Sequence, residues 1–288
     1  MSLAAHVVRT REALTAQIEG VDSLSRRAVV PTMGALHSGH ATLIERAREY
    51  VGDSGHVTAT IFVNPTQFAA NEDFDRYPRS LQADVEVCAR HGADLVFAPE
   101  VGEMYPDGAT QVTVDPGPLG LLYEGAVRPG HFQGVLTVVN KLFNMTQAQV
   151  AFFGEKDYQQ LVLIKQMVRD LSMGVMVIGV PTVREVDGLA MSSRNRYLAV
   201  AERERAELVP NAMKVGVDVA NAGGDADAVV VAVEKFFDDS GIDVDYVVVT
   251  NPDLGPAPVG GEARLIVAVR LGSVRLLDNT SIQLGARQ

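Results

Sequence analysis

Residues 31–40, PTMGALHSGH, follow a short apolar run, Ala28, Val29 and Val30, and precede ATLIERAREY, whose apolar positions recur at helical spacing. The stretch is therefore a strand-to-helix turn. A buried strand running directly into an amphipathic helix is the building unit of α/β proteins, so this turn narrows the choice of fold more than any other feature. At the carboxyl end of a parallel strand it brings backbone N–H groups and the positive end of a helix dipole to one point, which favours an anion. Gly34 and Gly39 remove side chains where a phosphate would approach the backbone, and His37 and His40, three apart, can face the same bound group. Each imidazole offers an N–H or, when protonated, a charge.

Taken alone, an HxxH spacing fits solvated histidines or half of a metal site equally well. Two specific alternatives are weaker. Gly34 and Gly39 have the glycine spacing of a P-loop, but His40 and Ala41 stand where that loop needs Lys and Ser or Thr. A zinc site needs further ligands, and with one Cys and six His in the chain no second cluster is evident.

The unit recurs along the chain. Residues 6–19 read as a first helix. HVTATIFVN (56–64) is a β-branched run that ends at Pro65 and reads as a second buried strand, with NPTQF on the turn leaving it. A polar connection (68–80) leads to a helix ending near Gly92 and a strand at DLVFAP. QVTV (111–114) reads as a further short strand, and 115–130, rich in Gly and Pro, as a loop. HFQGVLTVVNKLFNM has the length and period of a helix, and QVAFF (149–153) is a strand stopped by Gly154. GEKDYQQLVLIKQMVRDL repeats the opening design, and VMVIGV supplies another strand. This alternation predicts an α/β, Rossmann-like, mostly parallel sheet with helices on both faces and a ligand across the carboxyl strand ends.

Past residue 182 the regular alternation stops. Helical stretches near 200–221 and 225–240 precede strands near 244–249, 264–270 and 273–277, the pattern of a smaller α+β domain. The expected division is 1–182 and 183–288.

At 288 residues and 47% apolar content the chain can fill a sizeable core. Its formal charge of −11 opposes nonspecific binding to nucleic acid or an anionic membrane, so a nucleotide must be held by a local basic cluster. The single Cys88 precludes an intrachain disulfide framework and agrees with a reducing compartment; it sits in the helical LQADVEVCAR as a packed thiol. No apolar run suits a signal peptide or a membrane helix, which makes the cytoplasm the expected location.

Three polar turns carry candidate chemistry: HSGH (37–40), GEKD (154–157) and MSSRN (191–195). In the second, Gly154 allows close approach, Lys156 is a compact cation for phosphate oxygens, and Asp157 is either an N-cap or an acceptor for ribose hydroxyls. In the third, Ser192 and Ser193 offer hydroxyls and Arg194 a bidentate fork. Each occurs in ordinary loops; their specificity lies in the set.

HSGH at a first strand-to-helix turn, with a distant basic serine loop, resembles the nucleotidyltransferase superfamily, in which an HxGH motif and a KMSKS-like loop flank ATP. More closely, the ordered series PTMGALHSGH, IFVNPTQF, EDFDRYPR, RPGHFQGV, FFGEKDYQQ, MSSRN and RLLDN resembles the pantothenate synthetase (pantoate–β-alanine ligase) family. The likeness is dense over 28–198 and thins to RLLDN at 275–279.

The resemblance implies a ligase that condenses pantoate with β-alanine in two steps, using ATP and Mg²⁺. It implies that Met33, Gly34, Ala35, Leu36, His37, Ser38, Gly39 and His40 line the ATP, with His37 and His40 on the phosphates and His40 as proton donor. Gly154, Glu155, Lys156 and Asp157, Val183, and Met191, Ser192, Ser193 and Arg194 complete the nucleotide contacts, Val183 through its backbone near adenine. Gln67 and Gln160 grip pantoate, and Gln67 also adjoins β-alanine. Asp84 is the acidic residue associated with Mg²⁺, while Arg128, His131 and Lys141 match positions near the site. Members of the family are homodimers whose second domain acts as a lid. Two other functions compete. A nucleotidyltransferase that leaves the nucleotidyl group on its product shares HxGH chemistry, but NPTQF and EKDYQQ favour the ligase. A catalytically silent nucleotide-binding module has no need of His37, His40, Lys156 and Arg194 together.

Overall fold

The computed structural model of the chain describes residues 5–68, 80–108 and 110–285. They group into two compact units, one drawn from the described residues of 5–155 and 163–181, the other from 156–162 and 182–285.

In chain order the first unit contains β1 (His6–Val8), α1 (Arg11–Glu19), β2 (Arg27–Thr32), α2 (Ser38–Val51), β3 (His56–Ile61), α3 (Leu81–Arg90) and β4 (Leu95–Phe97). The one-turn helices α4 (Val101–Met104) and α5 (Glu124–Val127) follow, then α6 (His131–Thr146), β5 (Val150–Gly154), α7 (Tyr158–Asp170) and β6 (Met176–Val180). The first five residues of α7 cluster with the second unit. All six strands pair in parallel in the order β1-β4-β3-β2-β5-β6. Chain order reverses between β2 and β5, so the crevice that receives ligands in doubly wound sheets opens between their carboxyl ends.

Sequence explains the layering. Successive strand residues face opposite sides of a sheet. Ala28 and Val30 of β2 join one buried cluster with Leu43, Ile44, Ala47 and Val51 of α2, while Val29 between them is equally buried on the other side, where α6 packs on β2. Helix α2 presents this stripe because its apolar residues recur at helical spacing, and Gly52, at φ 69°, ends it. Burying each large aliphatic side chain there contributes about 1.5–3 kcal/mol.

The structure departs from the sequence reading in several places: 115–130, read as a loop, carries the one-turn helix α5, the last strand runs on to Leu284, and two short strand assignments change. His6–Val8, expected within a helix, forms an edge strand on β4; Thr10 caps the helix from outside, its hydroxyl accepting the N–H of Ala13 at 3.2 Å. QVTV forms no strand: Val114 donates its N–H to the Thr137 hydroxyl on α6 rather than to a neighbouring strand. The motif EDFDRYPR lies outside the described residues. Cys88 is fully buried in α3, and burial, followed by the nearby Asp84 charge, pushes its thiol up to about 12.

The second unit contains α8 (Val200–Arg205), α9 (Leu208–Asn221), α10 (Ala226–Asp239), β7 (Asp243–Thr250), β8 (Gly261–Leu271) and β9 (Val274–Leu284). The strands form an antiparallel sheet in sequence order. Its core joins α9 and α10 to alternate residues of the sheet, among them Leu265, Val267 and Val269 of β8 and Val274, Leu276 and Ile282 of β9. Gly216 on α9 lies close against this sheet: a Cβ there would stand 2.4 Å from the end of the Leu265 side chain, which would have to shift.

Candidate active site

The turn after β2 is built to hold an unusual backbone. Gly34 and Ala35 both have positive φ, 83° and 51°, the left-handed region that a β-carbon disfavours. Two groups hold them there. Thr32, at the end of β2, accepts the Gly34 N–H on its hydroxyl, which itself donates to the Thr60 carbonyl at 2.6 Å. Asp84, reaching from α3, accepts the N–H groups of Ala35 at 3.0 Å and Leu36 at 2.8 Å on its two carboxylate oxygens. A side chain at Gly34 would press against that carboxylate and Ile61.

His37 is the N-cap of α2. Its Nδ1 accepts the Gly39 N–H at 3.1 Å, while Nδ1 of His40 accepts the His37 N–H at 3.3 Å, so two imidazoles form a capping box in place of the usual Ser and Glu. The ring centroids are 4.1 Å apart. An accepting Nδ1 leaves the hydrogen of each neutral ring on Nε2, which makes that atom the donor.

The first expected pantoate contact, Gln67, sits on the turn after β3. Gln67 is buried; its Oε1 accepts from Asn64 Nδ2 at 3.1 Å and its Nε2 donates to Met33 Sδ at 3.1 Å. Its backbone carbonyl accepts from Arg128 at 3.2 Å and from His131 Nδ1 at 2.9 Å, so both residues brace the turn that carries Gln67. Gly134 makes the approach possible, since a Cβ there would lie 2.3 Å from the Thr66 carbonyl. Lys141 stacks its ammonium 5.4 Å from the ring centre of Tyr105.

Sequence reasoning passed over Asn64 and Tyr105. Asn64 Oδ1 accepts from the Tyr105 hydroxyl at 2.7 Å and from Thr66, and burial raises the phenol's pKa. Asn64 was legible as an Asx turn before Pro65; Tyr105, forty-one residues away, left no local signal.

Gly154 ends β5 beside β2, so it and Glu155 stand at the same reversal of strand order as the 33–40 turn. A Cβ at Gly154 would meet nothing within 4 Å, so packing does not require glycine there.

The second unit gathers the other candidates. Lys156 Nζ lies 3.3 Å from Asp157 Oδ1, and Gln160 follows a turn later on the same segment. Val183 and Met191 close a small hairpin, the Met191 N–H donating to the Val183 carbonyl at 2.9 Å. Ser192 caps the following turn by accepting the Arg194 N–H at 3.2 Å, with Ser193 as the first residue of that turn. Asn195 ties it back to Glu185 at 2.7 Å, and Glu185 and Asp187 in turn pair with Arg203 at 2.6 Å each.

Fold and turns together define the class: a Rossmann-like HxGH enzyme of the nucleotidyltransferase superfamily. Residues 6–281 match the model of the pantoate-beta-alanine ligase family. A pantothenate synthetase of Nocardioides sp. is 52% identical over all of this chain and 88% of its own length. The crystal structure of pantothenate synthetase from Thermus thermophilus is 47% identical, with a TM-score of 0.88 over 96% of this chain and 98% of that one. The pantoate-beta-alanine ligase structure from Francisella tularensis, described as complexed with beta-gamma ATP and beta-alanine, is 32% identical, with a TM-score of 0.79 over 96% and 97%. The chain belongs to the pantoate-beta-alanine ligase family. Its reaction is the ATP-dependent condensation of (R)-pantoate with β-alanine to pantothenate through a pantoyl adenylate, with release of pyrophosphate and AMP.

Proposed function

We propose a division of this reaction among the residues described above. A carboxylate resists amine attack because oxide is a poor leaving group, so the carboxylate must first be activated. A pantoate carboxylate oxygen attacks the α-phosphorus of ATP, the new O–P bond forms, and the bond to the bridging oxygen breaks as pyrophosphate leaves. The β-alanine amine then attacks the acyl carbon, loses a proton, and expels AMP. In the first step negative charge grows on the α-phosphoryl and pyrophosphate oxygens, where fixed N–H donors stabilise the transition state more than the ground state.

His37 and His40 supply such donors, and the capping box supports this reading by directing both Nδ1 atoms to the backbone, so that each neutral ring carries its hydrogen on Nε2. His40 is the proton donor. The backbone from Met33 to Gly39, Gly154 to Asp157, Val183, and Met191 to Arg194 hold the nucleotide, with Lys156 and Arg194 as its cations. Gln67 and Gln160 bind pantoate, and Gln67 also adjoins β-alanine. An amide gives hydroxyls and carboxylate both a donor and an acceptor without neutralising the nucleophile.

Mg²⁺ belongs to this reading as the ion that offsets charge on the triphosphate. Among the described residues there is no group of three or more His, Cys, Asp and Glu that could hold a metal by itself. Asp84 is the protein's candidate contribution. Its described hydrogen bonds, from Ala35, Leu36 and Ser80, use three of the roughly four lone-pair positions of a carboxylate. A cytoplasmic homodimer completes the proposal. Family resemblance and the exposed apolar Leu121, Leu122 and Val127 support the dimer; the single buried Cys88 supports the compartment.

Incubation with pantoate and ATP alone should release pyrophosphate and retain the adenylate, and added β-alanine should then liberate AMP. ADP as the nucleotide product would exclude this mechanism.

A further inference from the structure

The motif RLLDN was singled out in the sequence without a task, and the structure assigns it one: we propose that Asp278 and Asn279 are positioning residues that fix two nucleotide-binding segments of the second unit. The inference rests on the nucleotide roles proposed for Lys156, Val183 and Met191.

Asp278 stands in the apolar row of β9, between Leu276 and Ile282, and is 1% exposed. A carboxylate buried there needs a charged partner. It has one in Arg184, which forks across it at 2.7 and 2.8 Å. The bidentate bond raises the guanidinium's pKa above its ordinary value. Arg184 also donates to the Gly188 carbonyl at 2.9 Å and pairs with Ala190, so its side chain and backbone both brace the hairpin whose ends are Val183 and Met191. Asp278 thereby anchors the hairpin to the sheet.

Asn279, the next residue, anchors the other segment. Its Oδ1 accepts from Arg264 Nε at 2.8 Å and Nη2 at 2.5 Å, which fixes the sense of the amide. Nδ2 is therefore the end that donates to the Lys156 carbonyl, at 2.9 Å. Arg264 lies 3.9 Å from the ring centre of Tyr158, whose hydroxyl donates to the Pro252 carbonyl at 2.9 Å, so the segment is held at three points. Adjacent strand residues leave β9 toward opposite faces, and each face receives one segment.

The decisive substitution is Asn279→Asp, which is isosteric. It keeps an oxygen for Arg264 but sets an acceptor against the Lys156 carbonyl. The expected result is a folded enzyme whose KM for ATP rises about tenfold, with KM for β-alanine unchanged, corresponding to about 1.4 kcal/mol. In a Lys156→Ala background the same substitution should add less than twofold, because its effect runs through Lys156. An unchanged ATP KM, or full additivity with Lys156→Ala, would overturn the inference. If Lys156→Ala itself leaves ATP kinetics intact, the role assigned to Lys156 fails instead. Should Asn279→Asp not fold, Asn279→Ser, which is too short to reach the carbonyl, is read in the same way.

Discussion

Asp84 accepts the backbone N–H of Ala35 across forty-nine residues of sequence, and with the same carboxylate accepts the N–H of Leu36. Two donors of the loop that leads into His37 thus depend on one buried side chain. Removing it as Asp84→Ala strands both, at about 1–3 kcal/mol for each donor. The expected outcome is a clear loss in denaturant midpoint together with a raised KM for ATP. Asp84→Asn separates anchoring from metal binding. If the loop bonds dominate, ATP KM rises while the Mg²⁺ concentration giving half-maximal activity at saturating ATP stays put. A shift in that midpoint would assign the carboxylate to the cation.

Gly134→Ala tests the turn that carries Gln67. A Cβ there would stand 2.3 Å from the Thr66 carbonyl and 2.8 Å from the Gln67 nitrogen, both backbone atoms with little freedom to yield. Overpacking of this kind costs about 1–3 kcal/mol. Gln67 must shift with its backbone, so the KM for pantoate should rise by more than the KM for ATP. Equal changes in both would show that Gly134 matters only to general packing.

His40→Ala removes a proposed transition-state donor. Turnover should fall by about 10²- to 10³-fold, the usual loss for one such group. Its Nδ1 also accepts the His37 N–H, so helix α2 loses one cap, at about 0.5–2 kcal/mol. A variant that stays folded and turns over at the original rate would remove His40 from the chemistry.

The sequence exposed the turns after β2 and β5 because long apolar, β-branched runs mark buried parallel strands, and a parallel sheet brings their carboxyl ends to one side. It missed β1 because three residues, His6–Val8, are too few for any period to show. QVTV looked like a strand on propensity alone, and the hydroxyl of Thr137 claimed a donor that strand pairing would have used. Asp84, Tyr105 and Asn279 act through partners forty or more residues away, and a side chain's long-range partner leaves no mark on its neighbours in sequence. RLLDN was legible as a motif while the purpose of its last two residues was not.

Stability should decline as the pH falls below about 6.5, and His56 at the start of β3 supplies one named reason. Its ring is mostly buried, and Nε2 finds no hydrogen-bond partner among the described residues. Burial holds its pKa below 6.5, assisted by Arg48 and Arg27 and opposed by Asp94, whose carboxylate is 3.7 Å from Nδ1. The unfolded chain therefore takes up this proton at a higher pH than the folded one. Between 6.5 and the folded pKa the unfolded state binds more protons, so stability rises with pH across that window; below the folded pKa the loss is complete and the contribution levels off. His56→Gln keeps a polar side chain that does not titrate there. Denaturation of the two proteins at a series of pH values should show a flatter slope for the variant below 6.5. Parallel slopes would mean that the folded ring accepts its proton as readily as the unfolded one, through Asp94.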